Sequence, residues 1–406
     1  MPSLVRPGLF RLPAWKDGLM ANSNLTQAKN AKNDEFYTQW ADIEREVQAY
    51  LEYNPDVFRG KTILCPCDDP EWSNFTKFFA LHFHDYGLKK LISTSYAVES
   101  KNYRDYYQLT LFEQNDPKFD PDKTRTHGKI FTLDRKDKNH DSIINIDDLK
   151  WDYLQGDGDF NSDEVKKLRA EADVIVTNPP FSLFREFLSW ALETDKKLLI
   201  IGNLNAITYK EVFPLIMENK LWLGNGFHAG NAYFSTPSAV NYGSGVYIPK
   251  TGLVKFRNCC WFTNLDHGRR HQPLPLMTMS DNLKFSKHKE IKGKADYDRY
   301  DNYDAIEVPF TDAIPSDYEG VMGVPISFME KYCPEQFEIL GVEFGHLFMR
   351  LEGATGLSEQ FVNDYYAQGG TGSYSVNHPI LGYYQDGKAK IPFKRILIRK
   401  RKAVEE

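Results

Sequence analysis

Asn178-Pro179-Pro180-Phe181 closes a β-branched apolar run, ADVIVT at 172–177, and carries the residue types needed for chemistry on a planar amine. The lone pair of such an amine is delocalised into its ring, so attack on a methyl group requires the nitrogen to be drawn towards sp3. Asn178 offers a side-chain carbonyl and Pro179 a main-chain carbonyl, two acceptors for the two amino hydrogens, in a turn stiffened by the prolines. Phe181 offers a ring face for stacking. With the methyl group activated on the sulfonium of S-adenosylmethionine, no metal, general base or covalent nucleophile is demanded, and positioning with directed hydrogen bonds carries the catalysis. The same four residues also make an ordinary strand stop with Asn178 capping a helix, and the tetrapeptide alone does not separate the two readings.

Two other segments stand where a cofactor would lie. The turn Cys67-Asp68-Asp69-Pro70-Glu71-Trp72 follows a short β-rich run and contains no GxGxxG loop, so a phosphate-bearing nucleotide is not indicated. That suits S-adenosylmethionine, whose methionine ammonium Asp68 or Asp69 could pair; a solvated acidic turn is the plainer alternative. Asp157 and Asp159 in GDGDF (156–160) could accept from the cofactor's adenine amino group, with Phe160 against its ring, although turn chemistry explains GDG equally well.

The elements that must position these residues alternate along the chain. Phe36, Trp40, Ile43, Val47 and Leu51 recur at helical spacing, which predicts an amphipathic helix over 34–51. KTILC (61–65), KKLISTSYA (89–97), HGKIFTLD (127–134), the run into Asn178 and KKLLIIGN (196–203) read as strands, with helical patterns after the first, before and after the NPPF run, and over 208–219, where Pro214 predicts a kink. The fold class expected is α/β: a doubly wound, mostly parallel sheet over about 35–225, followed by a β-rich region. The predicted units are an extension over 1–30, a catalytic and cofactor-binding unit over 31–224, a target-recognition region over 225–300 and a C-terminal region over 301–406 with a basic tail. Three prolines break the apolar stretch of the first residues, so they do not read as a signal peptide; Met20 reads as an ordinary bacterial start, and the piece before it as a start-site artefact.

Composition limits the class. The chain has 406 residues with 41% hydrophobic side chains, enough for a substantial core, and a net charge of -6 that argues against indiscriminate nucleic-acid binding. No run approaches the roughly 20 apolar residues of a membrane span. Five scattered cysteines fit neither a disulfide framework nor a zinc site, so no metal is expected and a reducing, cytoplasmic compartment is the simpler reading.

In order, AKNDEFYTQ (31–39), CDDPEWSNF, GDGDF, ADVIVTNPPFSLFREF, IIGNLNAITYKEVFPLI and GVPISFMEKYCPEQFEILG resemble the EcoRI-type adenine-specific DNA methyltransferases, over most of the chain. The resemblance implies methyl transfer from S-adenosylmethionine to the exocyclic amino nitrogen of adenine in double-stranded DNA, with the base flipped out of the helix. It implies cofactor contacts at Phe36, Tyr37, Asp68, Asp69, Pro70, Asp159 and Phe160, and a base site at Asn178, Pro179, Pro180 and Phe181. The acidic turn departs from the DPFxGSG type of loop usual in related amino-methyltransferases, which leaves open which aspartate touches the cofactor. It further suggests a monomer encoded in bacteria, on a plasmid or by a phage, with a restriction endonuclease acting on the same site.

A DNA partner needs local positive charge. Residues 250–300 hold 11 Lys and Arg against 5 Asp and Glu, a net of +6 that leaves -12 for the rest of the -6 total. Lys255, Arg257, Arg269 and Arg270, interleaved with Trp261 and Phe262, form the expected recognition surface, and Lys394 and Arg395 in the basic run 388–402 a second contact or merely a solvated strand. Three rivals remain: cytosine carbon-5 methylation through Pro66-Cys67, the same amine chemistry on RNA or a protein glutamine, and a DNA-binding relative without catalysis.

Overall fold

A computed structural model of the chain describes residues 36–97, 118–135, 151–227, 230–236 and 246–402. The expected extension over 1–30, Met20 and the start of the AKNDEFYTQ motif lie outside these residues.

The described chain opens with a two-residue strand, β1 (Tyr37–Thr38), and helix α1 (Trp40–Tyr53). The helix predicted from residue 34 begins only at Trp40, beyond which Ile43, Val47 and Tyr50 are buried at helical spacing. Tyr37 and Thr38 are extended because they pair antiparallel with Ser235 and Phe234, a partner nearly 200 residues away that no local periodicity announces. Strands β2 (Thr62–Cys65), β3 (Lys90–Thr94), β4 (Lys129–Asp134), β5 (Trp151–Tyr153), β6 (Val174–Thr177), β7 (Lys197–Asn203) and β8 (Trp222–Leu223) follow. After them come β9 (Asn231–Ser235), β10 (Tyr247–Ile248), β11 (Leu253–Arg257) and β12 (Cys259–Thr263).

Eight of these strands form one sheet in the order β5-β4-β3-β2-β6-β7-β12-β8. Only its four central strands pair parallel; β4, β5, β12 and β8 extend the edges by antiparallel pairing, β4 and β12 running against the central strands and β5 and β8 with them. The sheet is thus mixed, where the sequence predicts a mostly parallel one. An apolar, β-branched run reports burial on both faces, not strand direction, so the return of Cys259–Thr263 along β7 is invisible locally. That strand, placed by its sequence position in the region after 224, is hydrogen-bonded into the large sheet from Cys259 opposite Asn203 to Thr263 opposite Leu199. A second, antiparallel sheet, β1-β9-β11-β10, carries the FYT segment.

Alternating residues of the central strands feed two separate cores, as a period of two requires. Ile63, Leu91, Val174 and Val176 pack with α1 and with α2 (Asn74–Leu81); Leu64, Ile92 and Ile175 pack with residues of α4 (Asp163–Glu171) and α5 (Phe184–Leu192). Between the second and fourth helices lies the short α3 (Pro121–Thr126). Pro214 does not kink a long helix. It occupies the first turn of α6 (Phe213–Met217), where its missing N–H would have had no intrahelical partner.

Beyond the large sheet, β13 (Ala305–Glu307), β14 (Val321–Pro325), β15 (Phe337–Val342) and β18 (Arg395–Lys400) form a third sheet, ordered β13-β14-β18-β15, and β16 (Tyr383–Gln385) pairs with β17 (Lys388–Lys390). The basic run 388–402 therefore supplies a central strand whose Ile396, Leu397 and Ile398 are fully buried. Among the described residues, no helix is long and apolar enough to cross a membrane.

Candidate functional site

The segments singled out by their chemistry gather at the carboxyl ends of the parallel strands, where open α/β sheets bind ligands. The acidic turn follows β2, Ser95 and Ala97 follow β3, and Asn178 follows β6. GDGDF follows β5, which pairs antiparallel with β4 and so runs in the direction of the central strands, and it docks onto this same end: the Ala97 amide donates to the Asp157 carbonyl at 2.7 Å and the Gly128 amide to that of Gly156 at 2.9 Å. Gly158 is obligatory there. Its φ is +82°, and a Cβ would lie 2.1 Å from the Ser95 carbonyl oxygen.

Asn178 is held by its amide nitrogen, which donates to the main-chain carbonyl of Phe36. Because that partner can only accept, the amide orientation is fixed, and the side-chain carbonyl oxygen Oδ1 faces the other way. Asn178 Oδ1 is buried and has no hydrogen-bond partner. Pro179 is buried and Pro180 half-buried. The Phe181 ring is half-buried, stacked with Phe36 at 5.7 Å between centroids and set edge-on to Phe234 and Phe256. The second sheet thus walls the NPPF turn with aromatic rings.

Beside this turn, β1 and the acidic turn meet. Asn74 Nδ2 donates to the Thr38 carbonyl at 2.7 Å, and the Tyr37 and Trp72 rings stack at 6.0 Å. Thr38 Oγ1 and Trp72 Nε1 are buried without partners. Other orphaned groups exist in the described residues, several of them tryptophan nitrogens in the core, but these two and Asn178 Oδ1 lie on three directly connected segments. A buried acceptor, a hydroxyl and a donor left unmade are costly unless a polar ligand completes them. The set fits a ligand carrying amino, hydroxyl and carboxylate groups. The sequence does not single out Trp72, and it reaches Thr38 only as the end of the Phe36-Tyr37-Thr38 segment that the resemblance places at the cofactor's methionine end; both lie inside the quoted motifs.

The two turn aspartates are not equivalent. Asp68 is buried, its carboxylate accepting from Ser73 Oγ at 2.7 Å and Thr177 Oγ1 at 2.5 Å. Asp69, also buried, accepts from the Glu71 amide through Oδ1 at 2.9 Å, and Pro70 is buried beside it. Nearby, burial lowers the Lys77 ammonium pKa while Asp69 and Glu71 pull it back up. Lys129, almost fully buried, pairs with Glu71 and lies 4.5 Å from the Trp151 ring centroid. Asp159 is half-buried and accepts from the Asn161 amide at 2.8 Å. Phe160 turns into the core, edge-on to Phe187 and Trp190 at 5.3 and 5.6 Å, so its ring serves packing.

The basic residues divide. Arg257 is exposed at the end of β11, and Lys255, half-buried, has its ammonium 5.8 Å from the Tyr233 ring. Arg269 donates to the Asn225 carbonyl, and Lys394 reaches Thr208 Oγ1 at 3.1 Å. Two expectations are corrected. Arg270 is buried, stacked 3.9 Å over Trp222 and bonded to Asp266 and Asn219; Arg395 is buried in a bidentate pair with Glu307. Each guanidinium is consumed by a partner that its own burial requires, and neither presents charge to a duplex.

All five cysteines are free thiols, and burial pushes those of Cys65, Cys259 and Cys260 up, Cys259 to about 12, the opposite of what activates a nucleophile. Among the described residues, no group of three His, Cys, Asp or Glu side chains could hold a metal ion.

Residues 24–401 match the profile of a family described as adenine-specific methyltransferase EcoRI. The chain is 43% identical over 322 residues to the Type II methyltransferase M.EcoRI of Escherichia coli, covering 79% of this chain and 89% of that protein. It is 34% identical to the Type II methyltransferase M.MpnI of Mycoplasma pneumoniae (77% and 84% covered) and 33% to M.MgeORF184P of Mycoplasma genitalium (78% and 85%). No solved structure matches it.

Proposed function

The chain belongs to the EcoRI family of adenine-specific methyltransferases, and from that premise we propose that it methylates the exocyclic amino nitrogen of adenine at a specific site in double-stranded DNA, using S-adenosylmethionine. The observation that carries this reading is Asn178 Oδ1, a buried acceptor without a partner, beside a proline-stiffened main chain.

When bound, S-adenosylmethionine supplies a methyl group already activated on a sulfonium. What the protein's own residues supply is placement. Asn178 Oδ1 accepts one hydrogen of the target amine and the Pro179 carbonyl the other, drawing the nitrogen lone pair out of ring conjugation. Phe181, backed by the Phe36, Phe234 and Phe256 rings, gives the base a face to stack on once it has left the duplex. Phe36 and Tyr37, Asp69 with Pro70, and Asp159 line the cofactor side, with Thr38 and Trp72 added by their orphaned groups; Asp69 is the carboxylate for the methionine ammonium. Lys255 and Arg257 meet the phosphate backbone, with Arg269 and Lys394 at its margin. The enzyme acts as a monomer, and an endonuclease cutting the same unmethylated sequence is the partner expected of it.

Methylation-sensitive sequencing of DNA from a host expressing the protein tests base and site together. Purified Asn178→Ala is expected to lose at least about 100-fold in transfer of labelled methyl groups to duplex DNA, the scale for removing one preorganised hydrogen-bonding group. Transfer at the wild-type rate would sink the proposal.

A further inference from the structure

The sequence assigns Asp68, together with Asp69, to the cofactor, yet its surroundings describe a different task. Its amide donates to the Thr94 carbonyl at 2.9 Å, and its own carbonyl accepts from Ser93 Oγ at 2.5 Å, so the residue is pinned at both ends of its backbone to the tip of β3. Ser93 is in turn bonded to Thr76 of α2 at 2.6 Å. The Asp68 carboxylate then spans two segments: Oδ1 takes the Ser73 hydroxyl that caps α2, and Oδ2 takes the hydroxyl of Thr177. Asp68, Ser73 and Thr177 are each at most 3% exposed. Thr177 is the residue immediately before Asn178, so this side-chain tie between the acidic turn and β6 acts directly on the peptide that aims Asn178 Oδ1.

We propose that Asp68 is a positioning residue for methyl transfer, fixing through the Thr177 hydroxyl the place of Asn178 Oδ1 relative to the acidic turn. The inference rests on the methyltransferase reading and deepens it. Besides the β6–β7 pairing that sets Thr177 opposite Ile200, Asn178 is fixed at two points: its amide nitrogen by the Phe36 carbonyl and its backbone, through the Thr177 side chain, by Asp68. With the second point lost, the acceptor swings about the first, and small misplacements of a reacting group cost catalysis far more than binding. Charge-assisted bonds from two buried hydroxyls suit the task, being short and directional.

The test compares Thr177→Val, which keeps the shape and removes the hydroxyl, with Thr177→Ser, which restores it, and with Asp68→Asn, all in the full-length protein. Steady-state methylation of duplex DNA gives kcat and KM, equilibrium binding gives affinity for S-adenosylmethionine, and melting checks the fold. T177V is expected to lose at least about tenfold in kcat with KM for S-adenosylmethionine and for DNA within about threefold of wild type, a split that general destabilisation would not produce. T177S is expected to recover to within about threefold of wild type, and D68N to bind S-adenosylmethionine within about threefold. The inference is overturned if T177V keeps its kcat, if T177S fails to recover it, or if D68N loses tenfold or more in cofactor affinity, which would make Asp68 a direct ligand. A wild-type protein that methylates no duplex DNA sinks the function and this inference together; an active wild type with an unaffected T177V sinks only the positioning role.

Discussion

A single amide oxygen does most to define the site. Asn178 spends its donor on a main-chain carbonyl and leaves its acceptor buried and unmade, an arrangement that costs the resting protein about 1–3 kcal/mol unless substrate completes it. Phe181 is the complementary residue, partly packed and partly open. If it stacks on the target base, Phe181→Ala should lower kcat/KM by roughly 5- to 150-fold, the ~1–3 kcal/mol associated with base–aromatic stacking. With 2-aminopurine in the target position, the variant should give a weaker fluorescence rise on binding; an unchanged rise would assign the ring to packing alone. Residue type made both positions readable from sequence. Residue type also misled, since Arg270 and Arg395 carry the same charge as Arg257 and only burial separates a phosphate contact from a core ion pair.

At the level of elements, the site exists because turns after β2 and β6, the segment after β3 and the GDGDF turn converge at one end of one sheet. Gly158 is the closest point of that convergence. Gly158→Ala combines a positive φ, which costs an L-residue about 1 kcal/mol or more, with a Cβ driven into the Ser95 carbonyl. The substitution should lower the melting temperature by several degrees and weaken S-adenosylmethionine binding, as read by calorimetry, because Ala97 and Asp157 lose their docking bond; a variant with wild-type melting and binding would show that the turn moves freely. The strands that build this edge were legible as apolar runs. Their order and directions were not, since burial on both faces looks the same in parallel and antiparallel neighbours.

For the whole molecule, the net charge of -6 conceals a +6 segment over 250–300. Seven of its eleven cations, Arg257 among them, are exposed and only Arg270 is buried, so the segment keeps most of its charge at the surface. Affinity for duplex DNA should fall as salt rises, and replacing both Lys255 and Arg257 by Ala should reduce the magnitude of the log–log salt slope by about 2, roughly 0.9 for each phosphate no longer neutralised. Arg395→Ala should behave differently, leaving Glu307 as an unpaired buried charge and costing about 3–5 kcal/mol of stability in denaturant titrations with little direct effect on the slope. A slope unchanged by the double substitution would move the DNA interface elsewhere.

By itself the sequence determined the chemistry on offer: NPPF, the acidic turn and GDGDF are local strings, and their residue types limit what they can bind whatever surrounds them. Hydrophobic runs likewise announced the central strands and α1 beyond Trp40. Only the tertiary structure decided that Tyr37 and Thr38 form a strand, that Phe36 anchors Asn178, that Phe160 packs inward and that Asp68 ties to Thr177. Each of these depends on a partner distant in sequence, and a hydrogen bond or a burial across such a separation leaves no period or propensity in the segment that makes it.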